Sequence, residues 1–156
     1  MKVKFTVLGE PQGKGRARAV ALFNKKTRQP VVDPKTGRAV ISEYTPDKTV
    51  QYENLIKMEY RRQVGTFKFP DNAMLDMRVM AYYSIPKNDS KIMQRKKESG
   101  EIRPTKKPDW DNIGKVAADS LNKIAYKDDA QVVDAQVRKF YSRQPRIEVT
   151  ILTANK

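Results

Sequence analysis

The sequence predicts a single α/β (α+β) domain over residues 1–156, built as a mixed β-sheet with two main helices packed on it. Three observations predict it. Period-two apolar alternation marks strands near both ends and in the middle of the chain, and two apolar stripes at helical spacing fall between those strands. The length suits one core, of the size that buries about 70% of the surface exposed on unfolding.

Val3, Phe5 and Val7 alternate with Lys4 and Thr6, which predicts a half-buried first strand ending at Gly9-Glu10-Pro11. In Gln12-Gly13-Lys14-Gly15-Arg16-Ala17-Arg18 two glycines allow close backbone approach to a phosphate, and Lys14, Arg16 and Arg18 supply charge. The loop reads either as a phosphate-backbone contact or as a basic turn. It lacks Walker spacing, which argues against nucleotide hydrolysis. Asp33-Pro34-Lys35-Thr36-Gly37 is a turn between Val31-Val32 and Val40-Ile41, giving a hairpin arm. Thr45 as cap with Pro46 at the first position starts a helix running to about Val64. Its stripe of Tyr52, Leu55, Ile56 and Tyr60 makes the tyrosines core residues rather than platforms for bases.

Leu75, Met77, Val79, Ala81, Tyr83 and Ile85 form the longest alternation, a central strand ended by Pro86. Residues 87–107 then form a basic arm, with Lys87, Lys91, Arg95, Lys96, Lys97, Arg103, Lys106 and Lys107 against only Asp89, Glu98 and Glu101. Within it Ser90 caps a short helix ending at Gly100. Asp111 or Asn112 caps the second main helix, which runs to about Ile124 and buries Ile113, Val116, Ala117, Leu121 and Ile124. Val133, Ala135 and Val137 give a strand, Ile147, Val149 and Ile151 a last one, and Gln144-Pro145 between them suggests a hairpin. The element order is β-β-β-α-β-α-α-β-β.

Composition narrows the chemistry. With 32 basic and 18 acidic residues the net charge is +14, which points to a nucleic-acid partner. No apolar run approaches the roughly 18 residues that span a bilayer, and the N-terminus lacks a continuous apolar segment. The expectation is a soluble, cytoplasmic protein with no membrane partner. The absence of cysteine and histidine excludes disulfides, thiolate metal sites and the commonest general base. Catalysis must then rest on carboxylates, lysines, tyrosines or a hard cation held by oxygen.

Against that basic background five aspartates, Asp109, Asp111, Asp119, Asp128 and Asp129, fall within 21 residues. Carboxylates set in a surface that attracts a polyanion repel it unless a divalent metal stands between. Asp109 and Asp111 are two apart at the edge of a helix, and Asp128-Asp129 precedes a strand able to lie beside it, which supplies a third carboxylate. Such a set, with phosphate oxygens, is the usual cage for one or two magnesium ions, with manganese as a substitute. Lys115 would stabilise the phosphorane or orient the nucleophile. The basic arm that empties into this cluster reads as a DNA contact through Lys91, Arg95, Lys96, Lys97, Arg103, Lys106 and Lys107. An ordinary reading stays open: Asp111 and Lys115 as an i, i+4 pair worth about 0.2–0.5 kcal/mol, Asp109 as a cap, Asp128-Asp129 as a turn.

Lys107-Pro108-Asp109-Trp110-Asp111-Asn112-Ile113-Gly114-Lys115, then Asp119-Ser120-Leu121-Asn122 and Tyr126-Lys127-Asp128-Asp129-Ala130-Gln131-Val132-Val133, resembles the signature of the RusA-type Holliday junction resolvases, common in phages and prophages. The resemblance extends in order and spacing over most of the chain. It implies a homodimer that resolves four-way or branched DNA with magnesium, in recombination and repair, in a bacterial host cytoplasm. It also implies catalytic roles for Asp109, Asp111, Asp129 and Lys115, with Asp128 a neighbour able to share a metal. Two positions depart from the pattern: Ala17 stands where proline is frequent, and Lys123 where glycine is.

The competing readings are a nuclease of the PD-(D/E)xK type, a non-catalytic basic DNA-binding protein and a structural domain of an RNA-bound assembly, the last with no preference for branched DNA. The first lacks its acidic residue two before Lys115. The second predicts salt-sensitive binding without cleavage.

Overall fold

The computed structural model describes residues 1–154. The elements are β1 (Lys2–Leu8), β2 (Arg18–Ala21), β3 (Ile41–Tyr44), α1 (Asp47–Gln63), β4 (Leu75–Ser84), α2 (Lys91–Glu98), α3 (Trp110–Ser120), β5 (Val132–Ser142) and β6 (Arg146–Thr153). A 3-10 turn, Asp129–Gln131, precedes β5. The order of strands and helices is the expected one, but the strand that pairs with β3 is Arg18–Ala21 rather than Val31-Val32, where only an isolated bridge of Val32 to Ala39 forms.

Four strands form the main sheet in the order β1-β6-β4-β5. β6 runs antiparallel to both β1 and β4, and β4 runs parallel to β5. The sheet is therefore mixed, and β4 lies inside it with neighbours on both edges, as its uninterrupted alternation implies. One face carries Phe5, Val7, Leu75, Met77, Val79, Ala81, Tyr83, Ile147, Val149 and Ile151, all buried. α1 and α3 close that face with Tyr52, Ile56, Tyr60, Ile113, Val116 and Ala117. The helical stripes are the ones read from the sequence, and Tyr60 meets Phe5 edge-on at 5.4 Å between ring centres. Such a pair contributes about 0.5–1.5 kcal/mol beyond its buried area.

Several expectations are corrected. β5 and β6 do not form a hairpin: β6 lies between β1 and β4, so Arg143-Gln144-Pro145 steps across the end of β4. Alternation identifies strands but carries no information about which neighbour each one takes. Val133 is 56% exposed rather than core, because the β4–β5 register shifts between Leu75 and Asp76 and leaves it out of the pairing. Pro46, not Thr45, is the cap residue of α1, with no side-chain capping bond. α3 starts at Trp110 with Asp109 as its cap and ends at Ser120, short of Ile124. The chain turns there through Lys123, whose φ of +65° is the left-handed conformation that favours glycine.

The two arms differ in character. Residues 18–44 form a hairpin arm in which β2 pairs with β3 and the turn closes with Gly37 N–H on the Asp33 carbonyl at 2.8 Å, Gly37 having φ +65°. Residues 87–107 are folded against the domain: Ser90 Oγ caps α2 by accepting from Met93 N–H at 3.2 Å, and Arg103 Nε donates to the Lys139 carbonyl at 2.8 Å on the outer edge of β5.

Candidate active site

α3 organises the site. Asp109 precedes it in extended conformation (φ −71°, ψ 154°), and Asp111 stands in its first turn. The approach is fixed from two sides. Tyr83 Oη donates to the Pro108 carbonyl at 2.6 Å, and the Lys14 amide donates to the Asn112 carbonyl at 2.9 Å. Gly13 makes that second contact feasible, since a Cβ there would stand 2.8 Å from Asn112 Cβ and 3.1 Å from Pro108 Cβ. Gly15 likewise faces α1, its amide donating to Thr49 Oγ1 at 2.9 Å. The glycines of this loop thus serve close approach to two helix starts of the protein itself.

Asp109 makes no capping bond with its side chain, and neither Asp109 nor Asp111 has an ion-pair or side-chain hydrogen-bond partner among the described residues. The ordinary Asp111–Lys115 pair is not formed. Lys115 Nζ lies instead 3.7 Å from Asp119, one turn further on. Lys14 approaches the same carboxylate at 3.4 Å and also pairs with Glu53. Burial works against the Lys14 charge, but Glu53 and Asp119 outweigh it and raise its pKa.

Asp129 lies beyond the C-terminal end of α3. Its amide donates to Asn122 Oδ1 at 2.7 Å. Asp128 caps the 3-10 turn by accepting from the Ala130 amide at 2.8 Å, while Gln131 Oε1 accepts from the Lys127 and Asp128 amides and Gln131 Nε2 donates to the Pro70 and Ala73 carbonyls. Partial burial first, then the Asp128 and Asp119 carboxylates, hold Asp129 above the usual carboxylate range. Asp128 is held below it by the Ala130 amide and by Asp129.

The site residues fall into two groups. Asp109 and Asp111 stand at the start of α3; Asp119, Asp128 and Asp129 are gathered at its end, with Lys115 between. From Asp111 to Asp119 the helix advances about 12 Å at 1.5 Å per residue. No three acidic side chains among the described residues are close enough to hold one metal ion. The donor chemistry nonetheless suits magnesium or manganese, because every donor is a carboxylate oxygen and Asp109 and Asp111 carry uncompensated charge.

Beside Asp109 opens a cleft of about 940 Å³, walled by the loop from Pro11 to Arg16, by Lys48 and Thr49 of α1, and by Lys107, Pro108 and Asn112. Lys14, Arg16, Lys48 and Lys107 line it. Of the cations expected to meet DNA, Arg16, Arg18, Lys91, Arg95, Lys96, Arg103, Lys106 and Lys107 are exposed. Lys97 is buried, donating to Asp89 at 2.5 Å and lying 4.9 Å from the Tyr141 ring centre. Sequence reasoning missed Lys48, Glu53, Asn122 and Lys139, and gave Asp119 no role. The position of Asp119 four residues beyond Lys115 is a signal it could have used. Nothing local announces Glu53 or Lys139; the Lys139 ammonium donates to the Lys106 carbonyl at 2.6 Å, and its pKa is lowered by burial against the pull of Asp109.

A cation-lined cleft leading to carboxylates at a helix start is the arrangement of a protein that handles nucleic-acid phosphates, and comparison with known proteins gives the class as endodeoxyribonuclease. The chain belongs to the endodeoxyribonuclease RusA family, whose model matches residues 9–152. It is also similar to an uncharacterized protein, YqaN, of Bacillus subtilis (strain 168), at 40% identity over 151 residues, covering 96% of this chain and 94% of that relative.

Proposed function

We propose that the protein is a magnesium-dependent endonuclease that resolves Holliday junctions and related branched DNA by paired phosphodiester hydrolysis, as a homodimer, in recombination and repair. The observation that carries the reading beyond family membership is the unpaired state of Asp109 and Asp111 in a chain of net charge +14. Cations are abundant, yet neither carboxylate has an ion-pair partner among the described residues, and Asp109 stands in the lining of the basic cleft. A host cytoplasm and a phage or prophage origin accord with the family resemblance. No helix among the described residues is long and apolar enough to cross a membrane.

In this reading Asp109, Asp111 and Asp129, with Asp128 beside Asp129, would hold the metal, the two groups having to draw together from the two ends of α3 when it binds, and manganese can replace magnesium. The bound metal supplies Lewis-acid stabilisation of the charge that develops on the reacting phosphate. The chain does the rest. Arg16, Lys48 and Lys107 draw the DNA backbone along the cleft, and the Tyr83 and Gly13 contacts fix the start of α3, which carries Asp109 and Asp111. Lys115, on the exposed side of α3, brings a positive charge to the phosphate, and Asn122 fixes the backbone of Asp129. A two-fold dimer matches the approximate two-fold symmetry of a four-way junction and supplies two nicks.

The test is a gel assay on a synthetic four-way junction and on linear duplex of the same arms, with magnesium or chelator, using the wild type and Asp111→Asn. Paired symmetric nicks in the junction that need magnesium and vanish in the variant support the reading. Tight binding without cuts under any divalent metal would replace it with a non-catalytic DNA-binding protein, and equal cutting of linear duplex would remove the junction selectivity.

A further inference from the structure

A second depression lies on the other side of α3 from the cleft. Its volume is about 270 Å³, and it sits between α3 and the outer strand β5, with Met77 and Val79 of β4 at its floor. Ala118, Ala135 and Val137 give apolar walls, while Asp111 and Lys115 stand at its rim. Gly114 keeps helix and strand close, since a Cβ there would meet Val137 Cγ2 at 3.2 Å. Trp110 also lines the crevice and is 66% exposed. An indole left in water, beside an apolar slot and two groups assigned to phosphodiester cleavage, is a combination that core packing does not require.

We infer that this crevice receives one nucleobase from the bound DNA, unstacked at the branch point and laid against Trp110. The inference rests on the junction-cleaving reading above and adds a base-binding site to it. The volume is just below the roughly 300–1,000 Å³ of pockets that take drug-sized ligands, which suits a single aromatic ring system. Every base presents a π-face to an aromatic side chain, so such a site needs no sequence readout. Charge favours a nucleotide over a purely apolar occupant, because Lys115 at the rim meets the phosphate that a base in the slot must bring with it. Linear duplex keeps its bases stacked, whereas a branch point exposes some at little energetic penalty. The crevice therefore rewards branched substrates at the position where the strand reaches Asp111 and Lys115.

Trp110 is the only tryptophan of the chain, so its emission reports the occupancy of the crevice directly. The experiment titrates the full chain, in chelator, with a four-way junction, the same junction carrying abasic residues at the crossover, and linear duplex. Binding is followed in parallel by gel shift and oligomeric state by sedimentation. Ala135→Phe, which fills the slot from the exposed strand, is the companion variant. The expected result is quenching by the intact junction only, together with a loss of junction affinity in Ala135→Phe of about five- to hundredfold, the range for one base–aromatic stack. The abasic junction should bind the wild type and Ala135→Phe alike. Junction binding without any change in Trp110 emission overturns the crevice site and leaves the junction reading standing. Equal affinity of the wild type for junction and duplex overturns that reading and the base site with it. An emission change that follows protein concentration without DNA, and disappears with the dimer in Ala135→Phe, assigns the slot to a second copy of the chain instead.

Discussion

At Asp129 the folded chain holds a carboxyl against Asp119 and Asp128, and its pKa is raised first by partial burial and then by those two neighbours. A carboxyl with a raised folded-state pKa contributes stability that is fully present below its unfolded value and is lost as pH rises through the folded one. At neutral pH the ionised group therefore opposes folding. Asp129→Asn is expected to raise Tm at pH 7 while removing cleavage, and the gain should shrink as pH falls towards 4 and the wild-type group protonates. Magnesium should raise the wild-type Tm more than that of Asp129→Asn, since an ion bound only by the folded state stabilises it; equal shifts would count against Asp129 as a ligand. Asn122 makes the complementary case. Its carboxamide accepts from the Asp129 amide at 2.7 Å, so Asn122→Ala should slow cleavage by roughly 10- to 100-fold, as expected when a group orienting a ligand is lost. Junction binding should change little, and Asn122→Asp, which retains an acceptor oxygen, should recover part of the rate in a single-turnover assay. The motif placed Asp109, Asp111, Lys115 and Asp129 within one stretch of sequence, but not the pairing of Lys115 and Lys14 with Asp119. Lys14 also pairs with Glu53, brought in from α1.

Among the elements, α3 and the loop from Pro11 to Arg16 act as one unit. Gly13→Ala places a Cβ where Asn112 and Pro108 already stand, so the loop must withdraw or the start of α3 must shift. Destabilisation of about 1–3 kcal/mol follows by analogy with overpacked cores, and thermal or urea unfolding measures it. Cleavage should fall further than stability, because Asp109 and Asp111 ride on the displaced segment; unchanged kcat/KM would show that the loop is only a neighbour. The stripes of α1 and α3 and the alternation of β4 were legible because burial imposes its period on the sequence. The docking of the segment 87–107 on β5 was not. Its many cations resemble a solvated tract, and what holds it on β5 are single contacts at long range, Arg103 to the Lys139 carbonyl and Lys97 to the Tyr141 ring.

For the whole molecule, a net charge of +14 predicts that junction affinity falls steeply with salt. If six to ten phosphates are contacted, the loss between 50 and 200 mM is about 10³ to 10⁵, measured as the slope of log affinity against log salt. A slope near zero would detach the charge from DNA binding. The strand order was the part of the fold that sequence patterns could not supply, since β6 pairs with β1 and β4 rather than with the β5 that precedes it. β1 has no other neighbour in the main sheet, and its register joins Lys2 to Leu152. During synthesis the aspartates of α3 are therefore made well before the sheet beneath them can close, and pairings between such distant segments form late. A ribosome must deliver the final strand before the enzyme exists, so an interrupted product, however complete its acidic cluster, lacks the support that makes a cutter of DNA.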